Sequence, residues 1–162
     1  VFVHVKEGVQ GYDMPAPPST PVVLDQKGCR YEPHVFGIRV GQTLIFRNSD
    51  PIMHNIRTNP LNNDPYNRAQ NQKGAEYPTR VRRPEVMLRI GCDVHGWMES
   101  FAGVLDHPFF AVTKADGSFE IGGLPPGVYL VEAWHEQLGA IEMEVEVAAN
   151  ETKDVKFEYP GK

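Results

Sequence analysis

Apolar and polar residues alternate along this chain in short runs, and no segment sustains a helical period with caps. "VFVHVKE" (1–7), "TPVVLDQ" (20–26), "HVFGIRV" (34–40), "QTLIFRN" (42–48) and "EVMLRIG" (85–91) read as strands. "FFAVTK" (109–114), "SFEIGG" (118–123), "VYLVEAW" (128–134), "AIEMEVEVA" (140–148) and "TKDVKFEY" (152–159) read the same way. β-Branched and aromatic side chains, often at every second position, are what a half-buried pleated strand needs. Fifteen glycines and fourteen prolines punctuate the runs, with turn chemistry at Gly41-Gln42, at Asp116-Gly117 and in "LPPG" (124–127). The pattern predicts an all-β chain built as two β-sandwiches.

Two stretches break the rhythm. Residues 10–20, most of them in the proline-rich "YDMPAPPSTP" (12–21), read as an extended connector after the first strand. Residues 57–84 are polar and dense in Asn and Pro, and read as one long loop. A structureless loop of that length inside a compact domain is uncommon unless it is functional or disordered. This one leads from His54 towards Cys92, so it is expected beside any site those residues form.

Composition narrows the function classes. At 162 residues the chain is long enough for a real core, and its net charge of −5 gives nucleic-acid binding no global support. Arg80, Arg82, Arg83 and Arg89 form the only basic cluster, read as a solvated loop face that can dock an acidic partner. No apolar run approaches a membrane span. The chain starts at Val1 without a signal-like segment, which reads as a processed product.

The chemistry concentrates in "GCDVHGWM" (91–98), where Cys92, His95 and Met98 stand at three-residue intervals. Each alone would be core or surface filler. Together they offer a soft thiolate, an intermediate imidazole and a soft thioether. Two histidines, a cysteine and a weak axial methionine suit copper in both oxidation states. The second imidazole has a candidate in "NSDPIMHNI" (48–56): His54, just after a strand and a turn.

"RYEPHVFGIRVGQTLIFRNSDPIMHNI" followed by "CDVHGWM" resembles the cupredoxins, the group that includes plastocyanin, pseudoazurin and amicyanin. The resemblance covers about residues 21–106 and implies a Greek-key β-sandwich or barrel. It assigns the copper ligands to His54, Cys92, His95 and Met98. It also implies that Asn55 ties the two ligand loops together, that Trp97 packs over the site, and that His95 lies near the surface in an apolar patch. The implied function is copper-dependent electron transfer, by a soluble carrier or a subunit of a redox complex. The implied partner is a cytochrome or an oxidoreductase, and the implied setting is periplasmic or extracellular. Catalysis is not indicated, because four protein ligands leave the metal no open position.

Cys29 departs from that pattern. It can be a second metal thiolate, a buried free thiol, or the partner of Cys92 in a disulfide that would abolish the site. The disulfide defines the alternative function, a metal-free β-sandwich interaction module of the cell envelope.

Residues 110–136 resemble the carboxypeptidase regulatory-like family, a small transthyretin-like (Ig-like) sandwich, through Asp116-Gly117, Phe119, "LPPG" and Tyr129. This second domain is expected over 107–162, completed by the strand at 1–9. Its implied role is docking or placement. His4 and His34 read as structural. His107 and His135 each adjoin aromatics and an acid, and are candidates for contacting the copper loop or a second ion, against the reading of packed, hydrogen-bonded histidines.

Overall fold

A computed structural model describes residues 1–160, and among these thirteen strands and no helix occur. The chain divides into two units, one running Pro15–Pro108 and the other combining Val1–Met14 with the segment from Phe109 onward. We call them the inserted and the flanking unit. The flanking unit contains β1 (Phe2–Glu7), β11 (Phe110–Val112), β12 (Gly127–His135) and β13 (Gly139–Val147). The inserted unit contains β2 (Val22–Gln26), β3 (Tyr31–Glu32), β4 (Val35–Arg39), β5 (Thr43–Asn48) and β6 (His54–Thr58). It continues with β7 (Tyr66–Gln70), β8 (Glu76–Arg80), β9 (Glu85–Gly91) and β10 (Glu99–Leu105).

The inserted unit is a pair of sheets, in the orders β4-β10-β9-β6-β7 and β3-β2-β5-β8. Each contains one parallel pairing, β10 with β4 and β2 with β5, among antiparallel neighbours. β5 shows why the sheets close on one another. Leu44, Phe46 and Asn48 are buried, while Thr43, Ile45 and Arg47 between them are partly exposed. Leu24, Ile38, Leu44, Phe46, Ile56, Leu88, Ile90 and Val104 meet in one apolar core. Burying each such side chain stabilises the fold by about 1.5–3 kcal/mol.

Residues 57–84 are not the single unstructured loop expected from their polarity. They finish β6 and supply β7 and β8, and both of these are edge strands. An edge strand has one partner and one wet side, so polar residues suit it and the alternating apolar signal is weak. Pro78 sits opposite Ile45 in β8, and an edge is where a sheet tolerates proline. The guanidinium of Arg68 in β7 lies 3.7 Å from the ring centre of Tyr77 in β8, joining the two edges.

Glu85 orders the turn after β6. Its carboxylate accepts from the backbone N–H of Leu61 (2.7 Å) and Asn62 (3.2 Å) and from Asn63 Nδ2 (3.0 Å). Burial pushes the carboxyl pKa up, but these hydrogen bonds outweigh it and the net shift is downward. A lowered folded-state pKa contributes stability that is present above the unfolded value and lost as pH falls through the folded one. Glu85→Gln is therefore expected to cost about 1.5 kcal/mol at neutral pH. The wild-type and variant urea midpoints should converge as the pH drops below the ordinary carboxylate range.

The flanking unit is a sheet in the order β11-β1-β12-β13, with Val3, Val5, Tyr129, Val131, Ala133 and Val145 in its core. The Asp116-Gly117 turn forms: Gly117 is left-handed (φ 84°), and Asp116 Oδ1 accepts from Ser118 N at 2.9 Å. Two expected strands do not form. Residues 118–123 and 152–159 join no ladder, although Phe119, Ile121, Val155 and Phe157 pack on this core. Side chains hold these segments in place of main-chain pairing, as Tyr159 Oη shows by donating to Ala133 O at 2.8 Å. No helix among the described residues is long and apolar enough to cross a membrane.

Candidate metal centre

Two neighbouring strands bring the donors together. β6 and β9 run antiparallel, with Arg57 opposite Gly91, so His54 at the start of β6 approaches the loop that follows β9. Where the ladder stops, side chains continue it. Asn55 Oδ1 accepts from Asp93 N (2.6 Å), and Asn55 Nδ2 donates to Asp93 Oδ2 (2.8 Å) and Asn67 Oδ1 (3.1 Å). Tyr31 Oη donates to Asn55 O (2.6 Å) and lies 2.9 Å from Gly91 O, clamping both strand ends. Burial, with the nearby Cys92 adding to it, pushes the Tyr31 phenol well above its usual range, so it stays a donor.

The loop after β9 closes on itself through Met98 N and His95 O at 2.9 Å. His54 and Met98 are wholly buried, Cys92 nearly so, and His95 is half-buried. His54 Nδ1 lies 3.0 Å from His95 Nδ1, and Cys92 Sγ lies 3.9 Å from the same His95 nitrogen. One donor atom from each of the three lies within 4.8 Å of the others. Bonds of about 2.0 Å to nitrogen and 2.3 Å to sulfur let one ion span donors up to about 4 Å apart, so these residues fit a metal. Met98 packs in the same apolar cluster as Cys92.

Asp50 decides which nitrogen of His54 is free. Its Oδ2 sits 2.9 Å from His54 Nε2 and accepts from Cys29 N at 2.9 Å, while Oδ1 accepts from Gly28 N at 2.8 Å. Burial pushes the Asp50 carboxyl up, but the hydrogen bonds from Cys29, Gly28 and His54 prevail and its pKa falls. An ionised carboxylate only accepts, so Nε2 carries the proton and Nδ1 turns its lone pair towards Cys92 and His95. Sequence reading missed Asp50, because Ser49-Asp50-Pro51 looks like an ordinary turn. Its placement four residues before His54 was the available signal.

The ends of β2 and β5, at Gln26 and Asn48, are braced by buried amides. Asn48 Nδ2 donates to Ile52 O and Gln70 O, both at 2.9 Å, and Gln70 Nε2 donates to Phe46 O at 3.0 Å. Gln26 Nε2 donates to Gln70 Oε1 and to Arg47 O.

The other candidates fall elsewhere. Trp97 is 69% exposed, its ring 5.2 Å from that of His95, and its Nε1 donates to Cys29 O at 3.1 Å. Cys29 and Cys92 are both free, so the disulfide of the alternative reading is not formed. His107 is buried in the inserted unit, and His135 Nδ1 in the flanking unit accepts from Gln137 N at 3.0 Å. Neither joins a group of ligand-type side chains among the described residues. His4 lies 3.3 Å from Glu132 Oε1, and His34 Nδ1 lies 3.0 Å from Glu99 O.

No family model matches the chain, and no curated protein does. Solved structures with a similar fold include a copper-containing nitrite reductase from Thermus scotoductus SA-01, at 20% identity and a TM-score of 0.49. That match covers 56% of this chain and 27% of the reductase, so the chain spans about a quarter of that protein. A copper(I) amicyanin point mutant matches at 17% identity and a TM-score of 0.46, over 52% of this chain and 81% of its own. A second, reduced amicyanin mutant matches at 18% identity and TM-score 0.46, with the same coverage. The architecture these proteins share with the chain is all-β.

Proposed function

We propose that the inserted unit is a cupredoxin-type copper domain and that the protein carries electrons. The supporting observation is the convergence of His54 Nδ1, at the start of β6, with Cys92 Sγ and His95 Nδ1 in the loop after β9. Cys92 supplies a thiolate, His54 and His95 supply imidazole nitrogens, and Met98 at the buried end of the loop supplies a thioether. A copper ion bound there would supply one-electron chemistry. The protein's part is to keep the ligands in one arrangement. Asn55 and Tyr31 lock the strand ends, Asp50 orients His54, and the apolar core excludes water from Met98 and Cys92.

His95 is the half-buried ligand, and exposed Val94 and Trp97 flank it in the loop. This face is where we place contact with a redox protein, a cytochrome or an oxidoreductase. We read the setting as periplasmic or extracellular, and the flanking unit as a transthyretin-like module for docking. Titrating the full chain with copper(II) tests the function. One equivalent should bind with intense visible absorption and be reversibly reduced. Stoichiometric binding without that absorption would overturn the reading.

A further inference from the structure

Cys29 is the one thiol outside the first donor set, and its backbone is unusual. Gly28 and Cys29 are both left-handed, with φ of 61° and 55°. Glycine adopts that conformation freely, whereas a residue with a Cβ does so at a cost. Glycine at both positions would serve the turn better, so the Cys29 side chain is held against the preference of its own backbone.

That side chain does not point into empty solvent. A donor atom each from Cys29, Asp50 and His54 lie within 4.8 Å of one another. They come from the β2–β3 loop, the β5–β6 loop and the start of β6, and the two loops are already latched by the Gly28 and Cys29 N–H groups on Asp50. Cys29 and Asp50 are half-buried and His54 is fully buried, so the group has a wet side and a dry side. Trp97 Nε1 on Cys29 O adds a third anchor.

We propose that Cys29, Asp50 and the Nε2 side of His54 form a second cation site, for a zinc-class divalent ion, sharing the His54 imidazole with the Cys92 centre. Thiolate, carboxylate and imidazole are the donor mix such ions take, and three protein ligands leave a fourth position for water. A tetrahedral ion with bonds of about 2.0–2.3 Å holds its donors about 3.3–3.8 Å apart, so Asp50 Oδ2 and His54 Nε2, at 2.9 Å, open slightly and the separations to Cys29 draw in by no more than about 1.5 Å. Binding releases the Cys29 thiol proton to solvent; the His54 Nε2 proton moves to Nδ1 where that nitrogen is free and is released to solvent where copper holds Nδ1. The hydrogen bond from Nε2 to Asp50 is thereby replaced by a shared ion. The sharing of His54 rests on the copper reading; the Cys29 site itself does not.

Cobalt(II), a spectroscopic stand-in for zinc, tests this on the full-length chain. Cys92→Ser leaves Cys29 as the only thiol. It should bind one equivalent of cobalt(II) with a thiolate-to-cobalt charge-transfer band. Adding Cys29→Ser should remove the band and weaken binding about ten- to a hundredfold, while adding Asp50→Asn should weaken binding and keep the band. Wild-type protein preloaded with one copper(I) should take up a further equivalent of cobalt(II). Absence of the band in Cys92→Ser, or cobalt affinity that is unchanged when Cys29→Ser is added, overturns the site; failure of the copper(I)-loaded protein to take cobalt overturns the sharing. The copper(II) absorption requires Cys92 and is read separately, so a failure of the copper reading leaves the cobalt result in Cys92→Ser standing.

Discussion

Cys92→Ser abolishes the intense visible absorption of the copper(II)-loaded protein while leaving an all-β circular dichroism spectrum. The colour expected of the wild type comes from charge transfer between a thiolate and copper, and serine offers no comparable donor. His54 and His95 remain in place, held by Asp50 and by the loop closure between Met98 N and His95 O. Copper therefore still binds, but more weakly and without the colour. The change also reaches stability. A ligand present at a hundred times its dissociation constant stabilises the folded state by about 2.7 kcal/mol, and the weaker site forfeits part of that. The metal-free variant bears a second, smaller effect, because Cys92 is 4% exposed and its replacement hydroxyl enters an apolar cluster. An unpaired buried hydroxyl costs about 1–3 kcal/mol. Thermal unfolding with and without copper separates the two effects. Retention of the wild-type colour would remove Cys92 from the ligand set.

Different physical rules decide which parts of this centre can be read from sequence. Cys92, His95 and Met98 are close because only five residues of one loop separate the first from the last, and local spacing is written in the chain. His54 reaches them through strand pairing, and its signal is positional: it opens the strand after "NSDPIM". Asp50 is harder, because an Asp before a proline is ordinary turn chemistry. Only the fold reveals that its carboxylate faces a histidine on one side and two backbone amides on the other. Cys29 is harder still, since its relation to Asp50 depends on the parallel pairing of β2 with β5.

The strands divide along a similar line. β1, β2, β4, β5, β9, β12 and β13 carry enough apolar alternation to be seen. β7 and β8 do not, because each lies at a sheet edge and shows water a polar face. β10, "ESFAGVL", is buried along most of its length and has no alternation to detect. The opposite error occurs at 152–159. Val155, Phe157 and Tyr159 do alternate inward, but that periodicity reports an extended chain with one apolar side and says nothing of main-chain pairing.

Phe46→Ala is expected to destabilise the inserted unit by about 3–5 kcal/mol. The ring is 2% exposed on β5, which has a neighbour on each side in its sheet, and it packs 5.2 Å from the Tyr66 ring. Relaxation around the missing ring is restricted from both directions. Main-chain pairing to β2 and β8 fixes β5, and the carbonyl of Phe46 accepts from Gln70 Nε2 across the sandwich. A cleft of about 280 Å³ already borders this position, lined by Leu44, Phe46, Tyr66, Leu88 and Ile90 among others. Deleting the ring extends that space instead of letting the sheets close over it. For a unit of this size, such a loss lowers the midpoint of thermal unfolding by at least about 12 °C. Because the flanking unit has its own core, a whole-chain signal would mix two transitions. The absorption of bound copper(II) follows the inserted unit alone, and its bleaching on heating gives the midpoint. A midpoint within a few degrees of wild type would mean that the two sheets collapse onto the vacancy, and that β5 is less firmly held than its pairing implies.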